Sequence, residues 1–343
     1  DDKTLSRPVT TLASTLSGMV AGLNVMQPSS KPNSESSTLR IRGTGTINNS
    51  DPLYIVDGMP IEGGLDYLNP SDIESIEVLK DAASGAIYGA RAANGVVLVT
   101  TKKGKMGKAQ INYNFSYGWQ SAWKKRDVTS ATDYAILQNE RALNGGQAPI
   151  YADPYNLTDS NGNPIGTDWQ DLVFNDNAPV QNHEVSISGA SEKINYYLSM
   201  GYYKQEGIVG GNYGQSNYER LSLRSNNIYN VMDASKERNF LNKLDVTVNM
   251  AYTRVKSTGI STNSEFGSVL GSALYMAPTL APTVTDGNVA KSYYDKLEDP
   301  NVYDSEGKVI GTRDFYEIPR DANGNYYTIP GMAGTYQEMN NPL

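Results

Sequence analysis

Residues 111–119 read Ile-Asn-Tyr-Asn-Phe-Ser-Tyr-Gly-Trp, with every odd position apolar or aromatic and every even position small or polar. The pattern returns over 194–202, where Ile194, Tyr196, Leu198, Met200 and Tyr202 share a face, and over 243–253, where Leu244, Val246, Val248, Met250 and Tyr252 do. A period of two predicts β-strands with unlike faces. Runs of nine or more exceed the mean globular strand of about 5–6 residues and match the roughly 9–11 that a tilted strand needs to cross a bilayer. Two weaker runs, 182–190 (Val185, Ile187) and 218–229 (Leu221, Leu223), bring the expected strands to five.

Charge follows the same parity. Glu184, Arg220, Arg224, Lys243 and Asp245 keep to the polar faces; Glu219, at the start of its strand, does not. Lys204 and Arg254 have apolar parity and are expected just past the strand ends. A basic side chain facing lipid costs about 2–4 kcal/mol at the midplane, so this placement fits strands whose apolar face meets a membrane. A soluble sheet would alternate in the same way with that face inward. The alternative reading is therefore a soluble or surface-displayed all-β carbohydrate-binding module, and burial of Tyr113, Phe115, Leu198 and Val246 in a compact interior would favour it.

The connections alternate too: a long one over 120–181, a tight turn at Ser191-Glu192-Lys193, intermediate ones near 204–217 and 230–240, and a long stretch from about 254 onward. Outer-membrane barrels have short periplasmic turns and long outer loops. The first strand then runs outward, and 120–181 and 254–343 lie outside the cell. Five strands cannot close a barrel, for which eight is the minimum, so the expectation is part of a larger barrel.

Composition narrows the function classes. The chain has no cysteine, one histidine (His183) and a formal charge of −8 over 343 residues. Disulfides, thiolate metal sites and cysteine nucleophiles are excluded, and nucleic acid is a poor partner. No run approaches the ~18 apolar residues of a membrane helix. Asp1-Asp2-Lys3 carries no apolar signal core and reads as a mature or trimmed terminus.

Residues 1–105 read differently, as a mixed α/β domain. Leu12, Leu16, Met19 and Leu23 predict a helix over 9–23, and 28–37 a loop. Short strands are expected at 39–42, 53–56, 76–79 and 96–101, with Asp57-Gly58 as a hairpin turn. Ser71-Asp72-Ile73-Glu74 has capping-box spacing and predicts a short helix start; a second short helix over 81–88 stops at Gly89.

Arg40-Ile41-Arg42-Gly43, Pro52-Leu53-Tyr54-Ile55-Val56-Asp57-Gly58, Asp72 to Asp81, Ala86-Ile87-Tyr88-Gly89-Ala90-Arg91 and Ala93 to Gly104 occur in that order and spacing. Together they resemble the plug of a SusC/RagA-type TonB-dependent outer-membrane transporter, strongly over about residues 5–120 and more loosely to 259. The resemblance implies a plug domain (1–105) followed by antiparallel transmembrane β-barrel strands (106–343, the N-terminal part of a 22-stranded barrel) with long extracellular loops. It implies a Gram-negative outer-membrane importer of a glycan or peptide rather than an enzyme. The implied partners are a SusD-like lipoprotein lid, the TonB–ExbB–ExbD complex and outer-membrane lipid; a dimer of transporter–lid pairs is compatible with it.

Arg40, Arg42, Glu74, Glu77 and Arg91 are candidates for a plug–barrel latch of paired charges, with Asp57 and Gly58 as a plug turn. Trp119 and Trp123, at the outward end of the first strand, are candidate membrane-interface anchors. Trp169 and the loop tyrosines would suit sugar stacking, loop packing or contact with a partner lid. Asp159-x-Asn161-x-Asn163 and Asp321-x-Asn323-x-Asn325 resemble the start of a calcium loop, but position 6 is Pro164 or Tyr326 and position 12 is Gln170 or Met332. Ordinary turns and no cofactor are the expectation. His183 is placed at a strand edge, as a contact residue rather than a metal ligand.

Overall fold

The computed structural model describes residues 23–26, 38–41, 51–80 except 63 and 66, 86–158 except 93, 162–232 except 211 and 212, 240–260, 268–287, 301–303, 308–312, 320–328 and 342. They fall into two compact units. One takes the first 120 residues with 178–207 and 216–259; the other takes 121–177, 208–215 and 260 onward.

The first unit begins with the plug. β1 (Leu23–Met26) and β2 (Thr38–Ile41) form a two-stranded antiparallel sheet. β3 (Leu53–Val56), β4 (Met59–Ile61), β5 (Ile73–Leu79) and β6 (Val96–Thr101) form a second sheet in the order β4-β3-β6-β5, with β3 and β6 parallel. β3 and β6 lie at its centre, and alternate residues feed two cores. Tyr54, Val56, Val97 and Val99 pack with Leu23, Leu39, Ile41, Leu65, Leu68 and Ile73. Leu53, Ile55 and Val96 pack with Ala92 on the opposite face. Covering both faces is what a parallel pair requires.

Two local expectations are corrected. Asn69, not Ser71, caps a 3₁₀ turn over Pro70–Asp72, and Ile73 opens strand β5 rather than a helix. The segment pairs antiparallel with β6, so sheet pairing overrides the capping signal. The helix expected over 9–23 lies outside the described residues except Leu23, which is in a strand. Of 81–88, residues 86–88 open a 3₁₀ segment, Ala86–Ala92, interrupted at Gly89.

Five long strands follow: β7 (Gly107–Gln120), β8 (Ala178–Ala190), β9 (Ile194–Glu206), β10 (Asn217–Met232) and β11 (Leu244–Thr258). They form one antiparallel sheet, β11-β10-β9-β8-β7, in which each strand pairs with its sequence neighbour. They run 13–16 residues, longer than the alternation alone had marked. Lys204 and Arg254 therefore lie inside strands rather than past their ends, and His183 lies mid-strand.

The faces separate by polarity. Along β10 the even residues Tyr218, Arg220, Ser222, Arg224 and Asn226 are buried, while Leu223 is exposed. Tyr113 and Phe115 are 59% and 56% exposed, and Leu198 and Val246 are both 42% exposed. The apolar face thus points away from the plug, and the polar face turns toward it. No helix among the described residues is long and apolar enough to cross a membrane.

The second unit is more structured than polar loops suggest. A helix over Ala131–Asn144 is capped by Ser130, whose Oγ accepts from Asp133 N–H at 3.1 Å. Helices Trp169–Val173 and Val269–Tyr275 pack Trp169 and Val173 against Ala273, Met276 and Leu280. Trp169 Nε1 donates to the Ala277 carbonyl at 3.0 Å, so this ring packs in a core. Lys125 sits between Asp171 (2.8 Å) and Asp176 (3.3 Å). The remaining described strands are the short pairs β12 (Thr283–Val284) with β15 (Tyr326–Tyr327) and β13 (Asn301–Tyr303) with β14 (Val309–Thr312).

Candidate functional site

The seam between the plug and the polar face of the long sheet gathers the buried charge of the first unit. It begins at the β3–β4 turn, a two-residue hairpin loop in which Asp57 (φ 50°) and Gly58 (φ 85°) both have positive φ. That is the geometry of the turn that matches strand twist, and Asp-Gly suits it. The turn fixes the Asp57 carboxylate against the end of β6. Oδ1 accepts from Thr101 N–H at 2.9 Å, and Oδ2 accepts from Thr101 Oγ1 at 2.6 Å. Arg224 on β10 closes the site, its Nη2 lying 3.2 Å from Asp57 Oδ2. These side chains are only 8% and 10% exposed, which makes this a buried ion pair across the seam.

Two asparagines from the sheet hold the junction that leads from plug to β7. Asn226 Nδ2 donates to Thr101 Oγ1 (2.7 Å) and to the Lys102 carbonyl (3.1 Å). Asn195 accepts from Gly104 N–H at 2.8 Å and donates to its carbonyl at 2.7 Å. An amide side chain presents a donor and an acceptor side by side, so Asn195 pairs with Gly104 much as a neighbouring strand would.

Further along the seam, Tyr197 Oη donates to Asp72 Oδ1 at 3.0 Å, and Thr253 Oγ1 donates to the Tyr67 carbonyl at 2.9 Å. Burial pushes the Asp72 pKa up against the opposing effect of hydrogen bonds from Ser199 and Tyr197 and of the Arg224 charge; Glu184 adds to the rise. Gly201 is a point of close approach between sheet and plug. A Cβ there would lie 2.5 Å from Asn69 Nδ2 of the plug and 2.7 Å from Ser222 Oγ.

The sequence comparisons agree with this arrangement. Residues 1–96 match the TonB-dependent Receptor Plug Domain family. The chain is 35% identical over 286 residues to TonB-dependent receptor SusC of Bacteroides thetaiotaomicron, covering 80% of this chain and 26% of SusC. It is 38% identical over 226 residues to TonB-dependent receptor P26 of Formosa agariphila, covering 64% and 22%. Among solved structures, the RagAB peptide importer in its open-open state superposes with a TM-score of 0.67 at 28% identity, over 97% of this chain and 36% of that one. The closed-closed state gives 0.66 at 30% identity, over 82% and 33%.

The chain is a SusC/RagA-type plug followed by barrel strands. It spans about a quarter of the length of the curated relatives it matches.

In this SusC/RagA-type chain the ion pair of the seam joins Asp57, expected only to shape a turn, to Arg224, expected only to sit on a polar face. Arg40 is half-buried on β2 opposite Asn24, and its Nε is buried with no protein partner among the described residues. Glu74 and Glu77 are exposed on β5. Arg42 and the Arg91 side chain lie outside the described residues. Trp119 lies on the apolar face, and Trp123, in the second unit, is fully exposed. Tyr113 Oη lies 3.0 Å from His183 Nδ1, and the His183 ring is 4.7 Å from that of Phe115. Asp159 and Asn161 lie outside the described residues. Asp321 accepts from the Asn323 and Asn325 N–H groups at 2.9 and 2.8 Å and from Asn325 Nδ2 at 2.9 Å, an Asx turn.

Proposed function

We propose that the full-length protein imports an oligomeric nutrient, a glycan or a peptide, across the outer membrane of a Gram-negative bacterium. The observation that carries this is the inversion of the long sheet: apolar side chains face outward on strands of 13–16 residues, while the polar face holds a plug by a buried Asp57–Arg224 pair. A soluble binding module would bury the apolar face instead.

In this reading the strands belong to a larger barrel, and the plug closes its lumen. Substrate is captured at the outer face together with a SusD-like lipoprotein lid. The TonB–ExbB–ExbD complex transmits inner-membrane energy to the plug from the periplasm. The plug rearranges, the lumen opens and the cargo passes without any bond in it being broken. The likeness to SusC and to the RagAB peptide importer supports this reading.

The test is recovery and uptake in cells. The full-length protein should fractionate with the outer membrane, need detergent for extraction and migrate faster on gels before heating than after. Uptake of a labelled oligosaccharide or oligopeptide should depend on both the protein and TonB. Recovery as a detergent-free soluble monomer would overturn the proposal.

A further inference from the structure

The apolar face of the five long strands is almost free of charge. Reading outward-facing positions along each strand, β7 contributes none past its bulge at Lys108–Ala109, β8 contributes none, and β9–β11 contribute Lys204, Glu206, Glu219, Arg254 and Lys256. All five lie at the strand ends shared with Gln120 and Ala178; outside the β7 bulge that holds Lys108, the opposite ends carry none on this face. Register places them side by side. Tyr117, Gln181, Lys204, Glu219 and Lys256 form one row across the sheet. The next row is Phe115, His183, Tyr202, Leu221 and Arg254.

The surroundings suit an amphiphile. A shallow apolar groove lies directly beside these rows, lined by Val185, Leu198, Met200, Leu223, Met250 and Tyr252. Tyr117 and Trp119 stack edge to face at 5.1 Å at the same end, where aromatic girdles sit. Lys204 has Glu206 at 3.8 Å, whereas Arg254 and Lys256 stand two residues apart on one exposed face of β11. A guanidinium and an ammonium so placed match the oxygens of a phosphate.

We propose that this end of the sheet binds the phosphate-bearing headgroup of an outer-leaflet lipid, with Lys204, Arg254 and Lys256 on the phosphate and an acyl chain in the adjoining groove. The proposal rests on the outer-membrane reading above. It commits to a lipid rather than free phosphate because the cations adjoin an apolar groove. Glu206 and Glu219 then tune the site by keeping its net charge low.

The test uses the full-length protein extracted in neutral detergent, with native mass spectrometry counting retained lipid. The probes are a doubly phosphorylated lipid A, its dephosphorylated form and inorganic phosphate. The wild type should retain phosphorylated lipid A in preference to the dephosphorylated form, and should lose it as salt rises. Each of Lys204→Gln, Arg254→Gln and Lys256→Gln should weaken retention roughly fivefold. Glu206→Gln and Glu219→Gln should strengthen it, an effect that misfolding cannot mimic. Equal retention of both lipid forms, or displacement by inorganic phosphate alone, would overturn the proposal. If the protein still needs detergent and shifts on heating, only this inference fails; if it is soluble without detergent, the membrane reading fails first and takes this with it.

Discussion

Replacing Arg224 by methionine would leave the Asp57 carboxylate buried with only Thr101 as partner. Breaking a buried pair from one side costs about 3 kcal/mol, and the plug should unfold at correspondingly lower urea. Asp57→Asn in the same background should recover part of that loss, since asparagine tolerates positive φ and can still accept from Thr101. Additive losses in the double-mutant cycle would show that the two side chains do not interact. Gly201→Ala forces a methyl group toward Asn69 and Ser222 and should destabilise plug seating by about 1–3 kcal/mol, relieved in part by Asn69→Ala; the readout is again the urea midpoint. Asp72 provides a pH handle. Its folded-state pKa is raised, so the folded seam binds that proton more tightly than the unfolded chain does. Stability therefore falls as pH rises from the ordinary carboxylate value through the raised one, and is level above it. Asp72→Asn should remove that slope while keeping an acceptor for Tyr197; an unchanged pH profile would assign the slope to another group.

At the scale of elements, parity governs tolerance. Leu198→Arg places a charge on the outward face and should cost about 2–4 kcal/mol of assembly, whereas Ser116→Arg, at an exposed position of the opposite parity on β7, should be tolerated. The comparison is read as the heat-shifted fraction in outer-membrane extracts. Parity is also what made this part of the fold legible in sequence: Tyr113, Phe115 and Leu198 advertised their face because nothing competes with a period of two over nine residues. Strand ends were harder, because Lys204 and Arg254 break the polarity pattern while backbone pairing continues through them. Ser71 to Glu74 misled because a capping signal is local, whereas the pairing of β5 with β6 is not. The Asp57–Arg224 pair spans 167 positions. Its partners meet only through the register of three successive hairpins and the docking of the plug, information that no local motif contains. The helices of the second unit were missed for a related reason: their apolar residues are sparse, and Trp169 finds its core only against a helix a hundred residues later.

For the whole molecule, the sheet formed by β7–β11 ends in two strands that have no further neighbour among the described residues. A transmembrane sheet must close on itself to satisfy its backbone. Residues 1–343 expressed alone should therefore aggregate in detergent and show no heat shift, while the full-length barrel should show one. A shift from the isolated chain would mean that copies of it close a barrel together. The plug has its own place in this picture, since its first described sheet and its last residues are held so differently. The amide groups of Asn226 and Asn195 grip the stretch just before β7, next to the central pair β3 and β6. A pull entering from the N-terminal side would meet the small β1–β2 sheet first and that grip last. In the import cycle proposed above, the stopper would unravel from its front while staying moored at the rear, and each turnover would leave a short leash from which the seal is rewound.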